Sequence, residues 1–289
     1  MSTSTRAVLA TASALLALPL VAAPAAADGF ACGTVVTADV RLTADLVDCE
    51  GPGIVIGADG VTVDLAGHTM SGDGTGAGVF SYEHDRTTVV GGTITGFAQG
   101  VDITGGRGSR VQRVSLVGNL VGITVGRATA LTVDQVHASA NAGSGIDVFQ
   151  ARRLVVRRST ATANGFGGVV DRGSADTRVE DVVAGGNGWS GIVVDQTEGA
   201  VITGVTADAN EGAGVELGFW ATGVSLERSS ASSNGASGFA VEEPGNRLSR
   251  LVATGNGEYG VVAPAGTVDG GRSTASGNSL GDCVGVVCA

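Results

Sequence analysis

Five consecutive residues, Tyr82, Glu83, His84, Asp85 and Arg86, put a phenol, two carboxylates, an imidazole and a guanidinium on one short segment. Such a set could run a β-elimination, in which an arginine neutralises a uronate carboxylate while histidine or tyrosine removes the proton α to it. Asp102, Arg107 and Arg110 follow closely enough to join the cluster if the chain coils back on itself. Tyr82, His84, Asp85, Arg86 and Arg110 are therefore the candidate catalytic residues, and the bland alternative is a solvated charged turn.

A second set is spread more widely. Gln112, Asp134, Arg157, Glu180, Thr203 and Glu227 recur at matched offsets, and Phe149 and Trp220 stand in segments beside them. If each offset is one coil of a stacked structure, carboxylates on successive coils fall about 5 Å apart, a separation that retaining glycosidases use. Exposed Phe149 or Trp220 could stack on a sugar ring. Asp134, Arg157, Glu180, Phe149 and Trp220 are the candidate substrate-binding residues. The alternating signs of Asp134, Arg157 and Glu180 read equally as a cross-strand salt-bridge ladder.

The element that must position these residues is an internal repeat. Asn119, Asn141, Asn164, Asn187, Asn210, Asn234, Asn256 and Asn278 are separated by 22 to 24 residues. A glycine follows each, most often opening an alternating apolar stretch, as in Gly122-Ile123-Thr124-Val125 and Gly191-Ile192-Val193-Val194. Taking those glycines as origins, coils begin at Gly78, Gly100, Gly122, Gly145, Gly168, Gly191, Gly214, Gly238, Gly260 and Gly281. The alternation has the period of strands, and no segment sustains a helical period. The expected fold is all-β, a single right-handed parallel solenoid of about ten coils with stacked asparagines bonding one to the next. Phe166 and Trp189, each two residues before a coil glycine, are expected to pack together in the turn beside that ladder.

The Gly-apolar-x-apolar strands, the Asn-Gly turns at Asn164-Gly165, Asn187-Gly188, Asn234-Gly235 and Asn256-Gly257, and the segment Asp64-Leu65-Ala66-Gly67-His68-Thr69 resemble the right-handed parallel β-helix family of pectate-lyase-like proteins. That resemblance implies carbohydrate as partner, a polysaccharide or a cell-surface glycan, and a polysaccharide lyase or hydrolase if the protein is an enzyme. The catalytic signatures of the family's lyases, polygalacturonases and epimerases do not occur here, and Gly67-His68-Thr69 lacks the second glycine of one of them. The alternative is a non-catalytic extracellular binding or structural module.

Domain organisation follows the repeat. Residues 1–27, with Arg6, an apolar run and Ala25-Ala26-Ala27 before Asp28, read as a signal peptide, which predicts secretion. Residues 28–52 read as an N-terminal capping segment, 53–280 as the β-helix and 281–289 as a C-terminal cap. No later stretch is long and apolar enough for a membrane anchor. Of the three possible pairings of four cysteines, Cys32 with Cys49 and Cys283 with Cys288 is favoured, because each bridge would pin an end of the rod.

A net charge of -11 argues against nucleic acid, and would repel acidic polysaccharides too unless a cation or the group Arg152, Arg153, Arg157 and Arg158 overrides it. His68, His84 and His137 lack metal-ligand spacing, and no cofactor is implied. Calcium bridging by the surface carboxylates Asp147, Asp171 or Asp195 stays open. A monomer is expected.

Overall fold

A computed structural model describes Ala25–Ala26 and residues 30–289; the signal peptide read from residues 1–27 otherwise falls outside the described residues. Among the described residues there is no helix. The chain winds as a right-handed parallel β-solenoid of about eleven turns.

Three parallel sheets form its walls. The first includes Thr132–Asp134, Val155–Arg157 and Arg178–Glu180. The second runs from Thr34–Val36 to Gly281–Val284. The third sheet holds Thr206–Asp208, Ser230–Ser232, Val252–Thr254 and Thr274–Ser276, and its wall is continued toward the start of the rod by His137–Ser139 and Thr160–Thr162, which are joined to the first sheet through Arg110–Val117. Long strands at Thr88–Thr95 and Arg110–Val117 span the first and third walls in the early coils.

Apolar side chains stack in files because each strand pairs in register with the strand one coil away. Val133, Val156, Val179, Ile202 and Leu226 make one buried file of the first sheet. Ile123, Ile146, Val169, Ile192, Val215 and Phe239 make one of the second. The third wall turns a tight corner, and its inward file from Ala138 to Ala253 is almost entirely alanine.

The asparagines occupy the corner between the third and second walls. Asn187 shows the pattern: its Nδ2 donates to Asn210 Oδ1 at 2.9 Å and to the Ala161 carbonyl at 3.0 Å, while its Oδ1 accepts from the backbone N–H and the side-chain amide of Asn164. Each buried amide is thus satisfied by its neighbour and by the turn, which is why asparagine recurs there. The ladder ends on Asp282, whose Oδ1 accepts from Asn278 Nδ2 at 2.9 Å.

The coil glycines answer a second constraint. A Cβ on Gly168 would sit 2.5 Å from the Gly191 carbonyl oxygen and 2.9 Å from Asn187 Nδ2, and the same crowding recurs at Gly191 and Gly238. Close approach of one coil to the next excludes every side chain. The file continues from Gly260 to Asp282 and not to Gly281, which pairs with Tyr259. Disulfides join Cys32 to Cys49 and Cys283 to Cys288, as the spacing favours. No helix among the described residues is long and apolar enough to cross a membrane.

Candidate functional site

Outward positions of the second sheet fall two and four residues after each coil glycine. The first file reads Phe80, Asp102, Thr124, Asp147, Val170, Val193, Glu216 and Ala240. The second begins Tyr82, Thr104, Gly126, Phe149, Arg172 and Asp195. Two recesses interrupt this face.

The larger, about 420 Å³, is lined by Thr104, Thr124, Gly126, Arg127, Asp147, Phe149 and Arg172. Gly126 contributes no side chain, so the recess opens between Thr104 and Phe149, and Phe149 stands 54% exposed at its wall. Arg172 Nη1 donates to Asp147 Oδ1 at 3.2 Å. Burial pushes the carboxyls of Asp147 and Asp102 above the ordinary range, Arg172 pulling the first back and a hydrogen bond from Thr104 the second. An aromatic plane, an oriented guanidinium and the partly desolvated Asp147 carboxyl within one recess can hold the apolar face and the hydroxyls of a sugar ring together.

The smaller recess, about 210 Å³, is lined by Trp189, by Glu216, Glu242 and Glu258, and by serines, alanines and a glycine. Glu216 Oε2 accepts from Ser190 Oγ at 2.7 Å. Burial pushes the Glu242 carboxyl up, and the charges of Glu216, Asp195 and Glu243 add to it. Phe166 packs on Trp189 with ring centroids 4.5 Å apart, as the sequence leads one to expect. Beside this aromatic pair Val170 and Val193 are buried although they point outward, and they form the saddle between the two recesses.

The residues singled out by chemistry are distributed across several walls. Tyr82 ends strand Ala77–Tyr82 at the head of the second file and is 51% exposed. His84 Nδ1 lies 3.5 Å from Asp59 Oδ1, and the same carboxylate accepts from the Asp85 N–H. Asp85 in turn accepts from the Arg107 N–H at 2.8 Å, so both carboxylates hold consecutive turns together. Arg86 is exposed at a left-handed corner, φ 53°, and Arg110 opens a strand of the first sheet, around the bend from Tyr82.

On the first sheet, Asp134, Arg157 and Glu180 do stack in register. Asp134 is taken by two guanidiniums, Arg157 Nη2 at 3.0 Å and Arg158 Nη2 at 2.5 Å, which hold its carboxyl below the ordinary range. Glu180 makes no ion pair among the described residues, so the salt-bridge ladder stops after one rung. Because Arg157 intervenes, the two carboxylates of this file are two coils apart, about 10 Å along the sheet. Trp220 is 67% exposed in the turn following the second sheet, and its backbone N–H donates to Glu243 Oε1. Asp171, grouped with the surface carboxylates by sequence, is fully buried, because Val170 points out and Asp171 therefore points in. Among the described residues no three His, Cys, Asp or Glu side chains converge as a metal site.

The structure thus brings Tyr82 and Phe149 onto one face and adds Asp102, Asp147 and Arg172 to them. Their signal was present as the second and fourth positions after Gly100, Gly145 and Gly168, visible once the glycine file fixes which residues point out.

Solved structures of similar shape include a mannuronan epimerase module and two bacteriophage tailspike proteins. The chain resembles the A-module of the Azotobacter vinelandii mannuronan C-5 epimerase AlgE6 with a TM-score of 0.57 at 16% identity, over 89% of this chain and 91% of that one. It resembles the Dettilon tailspike protein with a TM-score of 0.62 at 15% identity, over 85% of this chain but 61% of the tailspike. A third, tailspike protein 2 from the Escherichia coli O157:H7 bacteriophage CAB120, gives a TM-score of 0.58 at 12% identity, over 82% of this chain and 38% of that one. At these identities the likeness is one of fold. No curated protein sequence matches the chain. The sequence pattern of the family described as right handed beta helix region matches residues 44–184 and again 122–280, and the chain belongs to that family.

Proposed function

We propose that this protein engages a polysaccharide or cell-surface glycan along the outer face of the second sheet, outside the cell. The observation that carries the reading is the larger recess of this wall, where exposed Phe149 stands beside the Arg172–Asp147 pair. Tyr82 lies three coils before Phe149 in the same file, and Phe219 and Trp220 extend the exposed aromatic track in the other direction. A linear sugar chain parallel to the rod axis would meet an aromatic contact about every 14 Å. The name of the mannuronan C-5 epimerase structure supports a carbohydrate partner, and two disulfides suit an oxidising, extracellular setting.

The test is affinity electrophoresis in gels containing neutral and acidic polysaccharides. Retardation by at least one polymer is expected, and Phe149→Ala with Trp220→Ala should abolish it; equal mobility of wild type and double variant in every gel refutes the reading.

Two versions of this function differ in chemistry. In the catalytic one, Tyr82, His84, Asp85, Arg86 and Arg110 run the elimination that their side chains allow. The binding-only version is favoured by a specific observation: the Asp59 and Asp85 carboxylates accept turn N–H groups, and the His84 ring sits on Asp59. New reducing ends or unsaturated products that vanish in His84→Ala and Arg86→Ala would establish the former, and bound polymer left intact the latter.

A further inference from the structure

The outer surface of the third wall carries a pattern that neither the core nor the second sheet shares. Its strands repeat a triplet of one hydroxyl residue, one inward apolar residue and a second hydroxyl residue, as in Thr93-Ile94-Thr95, Thr160-Ala161-Thr162, Ser230-Ala231-Ser232 and Thr274-Ala275-Ser276. Parallel pairing carries this triplet in register, without a shift, from Thr69 and Ser71 to Thr274 and Ser276. The two outward files are therefore serine or threonine at every coil, with the exceptions Val117, His137, Val183, Gly185, Asp208 and Val252.

The protein makes little use of these hydroxyls itself. Those of Thr93, Thr95, Thr162, Thr206, Ser230 and Thr274 have no hydrogen-bond partner among the described residues. The bonds that outward side chains of this wall do make join His137 to Thr160, Ser232 to Asp208, and Ser71 to the Asp48 N–H. Charge is nearly absent too. In a chain of net charge -11, His137 and Asp208 are the titratable residues of the two files, and Arg228, Arg250 and Arg272 stand at their margin, two positions before Ser230, Val252 and Thr274. Neither file holds Phe, Tyr or Trp, so a sugar ring finds no plane to stack on. Threonine in a strand is stiff at χ1, which fixes its methyl and its hydroxyl in direction as well as in position.

We infer that the third wall binds the surface of ice. Hydroxyls recur along the rod about every 4.8 Å, and the two files lie two strand residues apart, about 6.6 Å. Hexagonal ice presents water oxygens on rectangular nets of comparable spacing, so hydroxyls and the waters lying between them can take lattice positions over several coils at once. The hydroxyls anchor that water, and the methyls beside them cage it without competing for its hydrogen bonds. A single hydroxyl holds ice no better than water does. A stiff array does, because its groups are already ordered and every coil adds a contact at little further entropic cost. Charges would instead orient first-shell water about themselves, which is why their confinement to the margin matters. This wall is distinct from the second sheet with its aromatic track, and either can fail without the other.

Cooling a single ice crystal in a solution of the full chain tests this, with the gap between melting and freezing temperatures, the crystal's shape and the inhibition of recrystallisation as readouts. Wild type should open a gap, facet the crystal and hold grains small. Thr162→Tyr with Ser230→Tyr places two rings proud of the array at positions where strands accept aromatics, so the variant should keep its circular dichroism spectrum and lose most of the gap. Phe149→Ala with Trp220→Ala, on the second sheet and the turn after it, should keep the gap whole. Wild type that neither shapes ice nor slows recrystallisation overturns the inference, as does an equal gap in the folded Thr162→Tyr, Ser230→Tyr variant. Loss of ice activity in Phe149→Ala with Trp220→Ala overturns the assignment to this wall, and sedimentation with crystalline cellulose in place of any effect on ice would mean that the hydroxyl array meets a different lattice.

Discussion

Asp171 occupies an inward file whose other members include Val125, Val148, Val194, Leu217 and Val241. Neither carboxyl oxygen has a hydrogen-bond partner, and the Thr177 hydroxyl beside it is unpartnered too. Burial pushes the acid above its ordinary 3.8, and the nearby Ser174 and Thr177 hydroxyls only soften the shift without making well-formed bonds. A raised folded-state pKa means that folding favours the neutral acid. The cost is therefore absent below the ordinary value and grows as pH rises through the folded pKa. Asp171→Val should stabilise the protein by about 1–3 kcal/mol at neutral pH, with the gain shrinking toward pH 3.8. Denaturant titrations at several pH values check this, and a gain independent of pH would show that volume and not ionisation is at stake. Asn187 is the opposite case, a buried polar group with every bond made. Asn187→Ala should cost about 2–4 kcal/mol, since it leaves the Asn164 amides and the Asn210 oxygen short of partners.

At the scale of the coil, corners and close approaches make opposite demands. Ala163 precedes the ladder residue Asn164 at φ 54° with its methyl exposed, so a glycine there relieves the left-handed backbone at little loss of buried area. Gly168, five residues on, has no room for a methyl. Ala163→Gly is expected to stabilise by roughly 0.5 kcal/mol and Gly168→Ala to destabilise by about 2–4 kcal/mol, read as midpoint shifts in chemical denaturation. If Gly168→Ala is neutral, adjacent coils are not held at the separation the asparagine ladder requires. This contrast also explains how much was legible in the sequence. Asn and Gly recur because single positions per coil tolerate only one residue type, so period and fold could be read directly, while the disulfide pairing is a preference among three that the structure bears out. Outward residues carry no such restriction, and from sequence Asp102 groups with the Tyr82–Arg86 segment and Asp147 with the surface carboxylates, until register sets both on one face with Arg172. Asp171 and Arg172 are adjacent, yet a one-residue step sends one into the core and the other to the recess. Arg228, Arg250 and Arg272 keep the period on successive coils, whereas Gln135 separates Arg113 from Arg158 at the same corner and Arg158 is paired with Asp134.

The whole rod is built of coils that touch only their immediate neighbours, so its stability is a sum of local terms with weak points at the two ends. At the start, Cys49 is buried and bonded to Cys32, tying the segment before the first full coil to the core. At the finish, the last strand, Gly281–Val284, has a partner on one side alone, and Cys283–Cys288 folds the tail back so that Cys288 bridges to Ser273. Losing a bridge over a 17-residue separation is worth about 3 kcal/mol, and over a 5-residue separation about 2 kcal/mol. In a globular domain either loss would lower protection everywhere, because the domain opens as one unit. In a linear stack the loss is confined: Cys32→Ala with Cys49→Ala should speed amide exchange in Thr34–Val36 and Ile54–Ile56 while strands such as Ile192–Asp195 keep their protection. Cys283→Ala with Cys288→Ala should do the same to Tyr259–Val262 and Gly281–Val284. Hydrogen exchange read by mass spectrometry separates the two cases, and uniform acceleration along the chain would mean that the coils unfold together and that the recesses on the second sheet share one stability with the caps.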